Sequence, residues 1–343
     1  MSMKDTFSPK ERLARVFAQK DVERPPVICP GGMMNAAIVE VMNATGNTLP
    51  DAHSDWRLMS ALAGDVYRLT GFENIGLPFC MTVEAEALGS SVDFGSLKCE
   101  PKIVREKYAS ADSVEFRPAH VITESPRAGM VIQSVAALSK ARPDVPVIGS
   151  VTGPVSTAAS IIDPMTFLKE LGKNREGAHR VLDYVSGALI EYARLLVDNG
   201  ASAISIADPT ATGEILGPRK FAEYAVPYLN AVADAVHAAG IPVIIHICGD
   251  VGPVTPHLKL LRYDAVSVDS VVNLRALKDE LDGVPVMGNI STYLLEFGKR
   301  EDVRNSTARL VENKIDIIAP ACGLSTSTPL ENITALTSAV SGT

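Results

Sequence analysis

Nowhere does the sequence stay apolar for the roughly 18 residues that a membrane helix needs. Its first residues, Met-Ser-Met-Lys-Asp-Thr-Phe-Ser-Pro, also lack the apolar core of a secretion signal, so a cytoplasmic protein is expected. A basic excess is missing too. Lys and Arg number 32 against 40 Asp and Glu, giving a net charge of −8, which argues against a nucleic acid or an anionic membrane as partner. Cysteines are few, odd in number at five, and scattered through 343 residues, a chain large enough to fold without staples. Reduced thiols are the expectation. No G-x-G-x-x-G follows an early strand, which removes the usual sign of a dinucleotide-binding open sheet. No internal repeat or linker divides the chain.

What the sequence does have is a rhythm. Apolar, β-branched runs at 25–31, 73–79, 145–151, 201–208, 241–248, 264–269, 284–289 and 315–322 read as eight strands. Helices are predicted between them, at 10–19, 34–42, 56–69, 82–88, 127–141, 176–199, 218–239 and 329–340, with Gly200 and Gly240 as stops. Strand–helix alternation makes parallel strands joined by right-handed crossovers, and eight such units close into a (β/α)8 TIM barrel. Residues 90–125 break the pattern with prolines and charges, and are expected as an irregular excursion over the top of a single barrel domain spanning 1–343.

A barrel carries its chemistry at the C-terminal ends of its strands. Polar residues gather there: Asp208 and Thr210, His246 and Cys248, Asp269, Asn289, and Cys322. His246 and Cys248 end one strand two residues apart, so their side chains share a face. An imidazole and a thiolate suit zinc, and Cys322, at the end of another apolar run, is the candidate third donor. Asp269, on the adjacent strand, is a candidate fourth donor that substrate would displace. A split H-x-C…C pattern is only moderately specific, so buried thiols and a metal site both stand at this point. Cys29, Cys80 and Cys99 read as small core residues, and His179 and His237 as helix residues without chemistry. Asp51-Ala-His53 approaches a corrinoid-binding D-x-H-x-x-G, but Trp56 replaces the glycine, so the chain is not expected to carry its own corrinoid.

His-Ile-Cys-Gly at 246–249, Ile-Ala-Asp-Pro at 206–209 and Ala-Pro-Ala-Cys-Gly at 319–323 resemble the methylcobamide:coenzyme M methyltransferases of the uroporphyrinogen decarboxylase superfamily. So do Leu-Pro-Phe-Cys-Met-Thr-Val-Glu-Ala-Glu at 77–86, Gly-Ser-Val-Thr-Gly-Pro at 149–154 and Thr-Pro-Leu-Glu-Asn-Ile at 328–333. The resemblance implies a (β/α)8 barrel with catalytic Zn2+ on His246, Cys248 and Cys322. Its acidic fourth ligand falls on Asp269, where the family generally has Glu. It implies transfer of a methyl group from a methylated corrinoid, held by a small partner protein, to a thiol such as coenzyme M. Asp208 and Asp269 are then the catalytic carboxylates, and Glu84 and Asn289 position the cofactor side. Tetrahydrofolate as acceptor, a decarboxylase-like enzyme and a zinc-stabilised scaffold that docks the corrinoid protein are the alternatives. The decarboxylases carry an arginine-rich N-terminal segment, where this chain has Cys-Pro-Gly-Gly-Met-Met-Asn at 29–35.

Overall fold

A computed structural model describes residues 5–342 of the chain. Nine strands run in chain order: β1 (Ile75–Leu77), β2 (Ser91–Asp93), β3 (Lys102–Arg105), β4 (Val147–Thr152), β5 (Ala203–Ala207), β6 (Val243–Ile247), β7 (Ala265–Val268), β8 (Val286–Ile290) and β9 (Ile317–Pro320). Seven form one parallel sheet in the order β1-β4-β5-β6-β7-β8-β9, with helices between successive strands. Strands β4 to β7 and β9 are buried at every residue, which is why they read as unbroken apolar runs.

The sheet curls, and residues 26–29 bridge its edges. Ile28 N–H donates to Ile318 O at 2.9 Å, and Ile318 N–H donates to Pro26 O at 2.9 Å, a parallel pairing with β9. On the other side Glu73 N–H donates to Val27 O at 2.8 Å. There the Asn74 side chain takes over the ladder, accepting from Cys29 N–H at 2.8 Å and donating to Cys29 O at 2.9 Å. The eighth strand expected at 25–31 is therefore a short bridging segment. Pro25, Pro26 and Pro30 have no N–H to give a regular ladder.

A buried ion-pair network sits below this seam, at the N-terminal end of the strands. Arg12, from the helix Pro9–Phe17, is fully buried and donates to Glu73 Oε1 at 2.5 Å and Glu23 Oε1 at 2.6 Å. Arg24 donates twice to Glu73, at 2.7 and 2.9 Å, and Glu73 Oε2 also accepts from Val27 N–H at 3.0 Å.

Two helices fall elsewhere than expected. The one predicted at 34–42 begins only at Val39, because Asn35 Oδ1 accepts from Ala37 N–H at 3.1 Å and holds an extended bend. The one predicted at 218–239 is three pieces: Gly213–Lys220, a wide turn Phe221–Ala225, and Val226–His237. Gly217 at φ 65° and the following Pro218 break the first piece. Helices Pro154–Ile161 and Pro164–Lys173 were not foreseen.

Between β1 and the helix Pro126–Ala141 the chain makes the antiparallel ribbon β2–β3, then short helical turns at Ala111–Ser113 and Ala119–Glu124. Cys99 lies in the ribbon's turn and is exposed, so it is not the core residue the sequence suggested, whereas Cys29 and Cys80 are buried. His179 and His237 are on helices, bonded to Tyr228 at 2.7 Å and Asp264 at 2.8 Å. No helix among the described residues is long and apolar enough to cross a membrane.

Candidate metal centre

Because the seven sheet strands are parallel, their C-terminal ends share one rim. His246 is the fourth residue of β6, paired in register with Ala207 of β5 and Ser267 of β7, and it is fully buried. Cys248 follows just past the strand, and Cys322 stands just past β9. Ala321 N–H donates to Ile290 O at 2.8 Å and carries the β8–β9 ladder up to Cys322. His246 Nε2 lies 3.0 Å from Cys248 Sγ, and the two sulfurs are 3.2 Å apart. One nitrogen and two sulfur donors thus lie within 4.8 Å of one another, a set able to hold a metal ion. Among the described residues no other group of this kind occurs.

Glycine is required after each cysteine. Gly249 has φ +70°, and a Cβ there would stand 2.5 Å from Glu214 Oε2. A Cβ on Gly323 would stand 2.8 Å from Met33 O. The two thiols share a hydrogen bond, and its electrostatics are unequal. Donation from Cys248, together with His246, holds the Cys322 thiol well below its ordinary range despite burial. The bond to Cys322, then burial, pushes Cys248 up.

Asp269 stands beside this trio and not within it. Its Oδ2 accepts from Gly249 N–H at 3.3 Å and its Oδ1 from Ser270 Oγ–H at 3.1 Å. Asn289 is tied down, its Nδ2 donating to Asp269 O and Val272 O at 2.8 Å each. Glu84 is buried at the start of the helix Val83–Ala87, accepting from Thr152 N–H at 2.8 Å and Thr152 Oγ–H at 3.0 Å. Burial raises its carboxyl.

Asp208 is fully buried at the end of β5, with both oxygens occupied. Oδ1 accepts from Ser156 N–H at 2.8 Å and Ser156 Oγ–H at 2.6 Å, and Oδ2 from Val155 N–H at 3.0 Å. It thus tethers β5 to the N-terminus of the helix Pro154–Ile161. Burial pushes this carboxyl from its usual 3.8 up to about 6, against the pull of those donors. Between those values the folded chain binds more protons than the unfolded one, so stability from this group declines as pH rises through that window. Asp208→Asn should flatten this part of the stability profile, checked by urea unfolding from pH 4 to pH 7. It should also cost about 1–3 kcal/mol, since an amide NH2 would face an N–H donor.

Two features escaped the sequence, and His53 entered it only through the near miss to a corrinoid motif. Ser267 Oγ lies 2.9 Å from His246 Nδ1, and only the register of β6 against β7 could have revealed it. Arg127 is buried against Glu86 at 2.5 Å, with Phe94 of the ribbon over its guanidinium. His53 is fully buried, its ring near Phe94 and its Nε2 without a hydrogen-bond partner. The segment 29–35, which has no arginine, is buried apart from Met33, with Asn35 donating to Gly32 O and Phe79 O.

The family model "Uroporphyrinogen decarboxylase (URO-D)" matches residues 8–343. The chain belongs to this family. Within it, similarity runs to methyltransferases. A methylcobamide:CoM methyltransferase, MtbA, of Methanosarcina acetivorans is 31% identical over 95% of this chain and 96% of its own. A methylated-thiol–coenzyme M methyltransferase of Methanosarcina mazei is 27% identical, over 91% of this chain and 84% of its own. The solved structure of a methyltransferase from Methanosarcina mazei superposes with a TM-score of 0.90 at 29% identity, covering 97% of this chain and 98% of that one.

Proposed function

We propose that this chain, as one barrel domain over 1–343, is a zinc-dependent methyltransferase that moves a methyl group from a methylated corrinoid protein to a thiol of the coenzyme M type. The convergence of His246 Nε2, Cys248 Sγ and Cys322 Sγ at the strand ends carries the reading. The names of the family relatives support the reaction class. A soft donor set of two thiolates and an imidazole fits zinc better than a hard ion such as Mg2+ or Ca2+. Bound there, zinc would supply the Lewis acidity that holds an acceptor thiol, ordinarily of pKa about 8.5, as its thiolate at neutral pH.

The protein's own groups set the charge. Cys248 and Cys322 supply two negative charges, enough to cancel a divalent ion, and His246 adds none while neutral. An acceptor sulfur therefore keeps its own charge and stays nucleophilic. Its lone pair would take the methyl group, with the electron pair of the broken Co–C bond left on the partner's corrinoid. Asp269, beside Cys248 and bonded to Gly249 N–H, is the proposed fourth donor that gives way to the acceptor. Asp208, held by Val155 and Ser156 of the helix Pro154–Ile161, and Glu84, held by Thr152 at the end of β4, act in this reading by fixing the rim on which the acceptor lies.

The test is methylcobalamin with coenzyme M, a panel of other thiols and tetrahydrofolate, following loss of the Co–C absorbance. Thiol-dependent demethylation that disappears on chelation and returns with Zn2+ is expected. Transfer to tetrahydrofolate alone, or activity indifferent to chelation, would overturn the reading.

A further inference from the structure

We propose that Arg127 is a positioning residue for the acceptor side of the metal centre: it clasps the β2–β3 ribbon through Phe94 and so holds the ribbon as a wall beside Cys322. The clasp is a property of the chain itself, and only its consequence for the acceptor rests on the thiol reading above.

The ribbon is attached at few points. Among the described residues its strands pair only with each other, and β3 is mostly exposed. Its two feet stand on the helix Pro154–Ile161, where Ser90 Oγ–H donates to Ser160 O at 2.9 Å and Tyr108 N–H to Ile161 O at 2.9 Å. Leu97 and Ile103 are its apolar contacts with the core. From its feet the ribbon runs out to a tight turn in which Ser96 and Cys99 exchange backbone bonds at 2.9 and 3.2 Å. Just past that turn the Glu100 side chain reaches Asn35 and the field of Cys322, which act on its carboxyl in opposite senses. The ribbon thus arrives at the β9 side of the three donors.

Between foot and turn stands Phe94, with the Arg127 guanidinium 5.1 Å from the centre of its ring. A cation is costly where Arg127 sits. It is buried in the first turn of the helix Pro126–Ala141, and the helix dipole opposes positive charge there. Three groups offset that cost: Glu86 Oε2 at 2.5 Å from Nε, Thr82 Oγ accepting from Nη2 at 2.8 Å, and the face of Phe94. Thr82 and Glu86 belong to the segment that follows β1, so they fix the guanidinium to the barrel and leave its flat face to the ribbon. His53, its ring 6.4 Å from that of Phe94, is kept neutral by burial and by Arg127, pushed down to about 3, so no second cation competes for the ring.

The experiment combines amide hydrogen exchange with steady-state kinetics on the full chain loaded with Zn2+, using methylcobalamin and coenzyme M. Phe94→Leu stays apolar but removes the ring face. Exchange in residues 91–105 should quicken and KM for coenzyme M should rise, each by about 3–30-fold, with kcat and Zn2+ affinity within about 2-fold of the wild type. Phe94→Tyr, which keeps the ring, should stay close to the wild type in all four. Arg127→Met should act as Phe94→Leu does, and combining the two should add little, because both break one contact. Should Arg127→Met fail to fold, the contrast between the two Phe94 variants carries the test. Unchanged exchange and KM in Phe94→Leu, a fall in kcat with KM unchanged, or additive effects in the double variant would overturn the proposal. Exchange that responds as stated in a chain that methylates no thiol would instead overturn the thiol reading alone.

Discussion

Cys322→Ala should lose Zn2+ and methyl transfer together, with affinity falling by about 10²–10³-fold and rate by about 30-fold or more. Zinc held by a full set of protein ligands contributes roughly 10–16 kcal/mol, so one donor among three or four accounts for about 3–4 kcal/mol, which is two to three powers of ten. The unactivated acceptor alone accounts for about 30-fold of the rate, because a thiol left near pKa 8.5 is only a few per cent thiolate at pH 7. Cys322 is half-buried just past β9, not within the core, so the fold should survive and the urea midpoint should barely move. Cys248→Ala should behave alike. The double variant should be little worse than either single one, because both residues serve one ion. Full thiol methylation by either single variant would remove the cysteines from the mechanism.

Glu73→Ala should have the largest effect on stability, about 3–5 kcal/mol, without touching the chemistry of the folded fraction. Its carboxylate accepts from Arg12, twice from Arg24, and from Val27 N–H where residues 26–29 join the sheet edges. Removing it leaves two buried guanidiniums short of a partner and one backbone N–H unpaired at the seam. Glu23→Ala should cost clearly less, because Arg12 keeps Glu73 and Asp5. The measure is the shift in urea midpoint beside activity per folded molecule. Equal midpoints for Glu73→Ala and the wild type would show that the seam is held by other forces.

How much of this could be read from the residues depends on whether the physics is local. Strands β4 to β9 were legible because a strand buried on both faces must be almost wholly apolar, and that leaves a run such as Val-Ile-Ile-His-Ile, interrupted only by the site residue. His246 and Cys248 were legible because side chains two apart on a strand share a face. Cys322 was reached only by supposing that strand ends meet, which the barrel supplies. What stayed hidden depends on register or on side chains standing in for backbone. Asn74 completing the ladder to Cys29 looks in the sequence like any other asparagine. Ser267 is a lone hydroxyl in an apolar run until β7 is set against β6. Asp208 read as a polar strand end, and its occupation by Val155 and Ser156 follows only from where the next helix starts. The break in the helix predicted at 218–239 was signalled by Gly217-Pro218, a pair that a periodicity count passes over.

X-ray absorption at the zinc edge, on the wild type with and without coenzyme M, tests the central claim most directly. The account predicts two sulfurs at about 2.3 Å with nitrogen and oxygen completing the sphere, and a third sulfur replacing an oxygen when the thiol is added. A sphere that is saturated by protein and unchanged by thiol would contradict it, as would a chain that takes up no zinc.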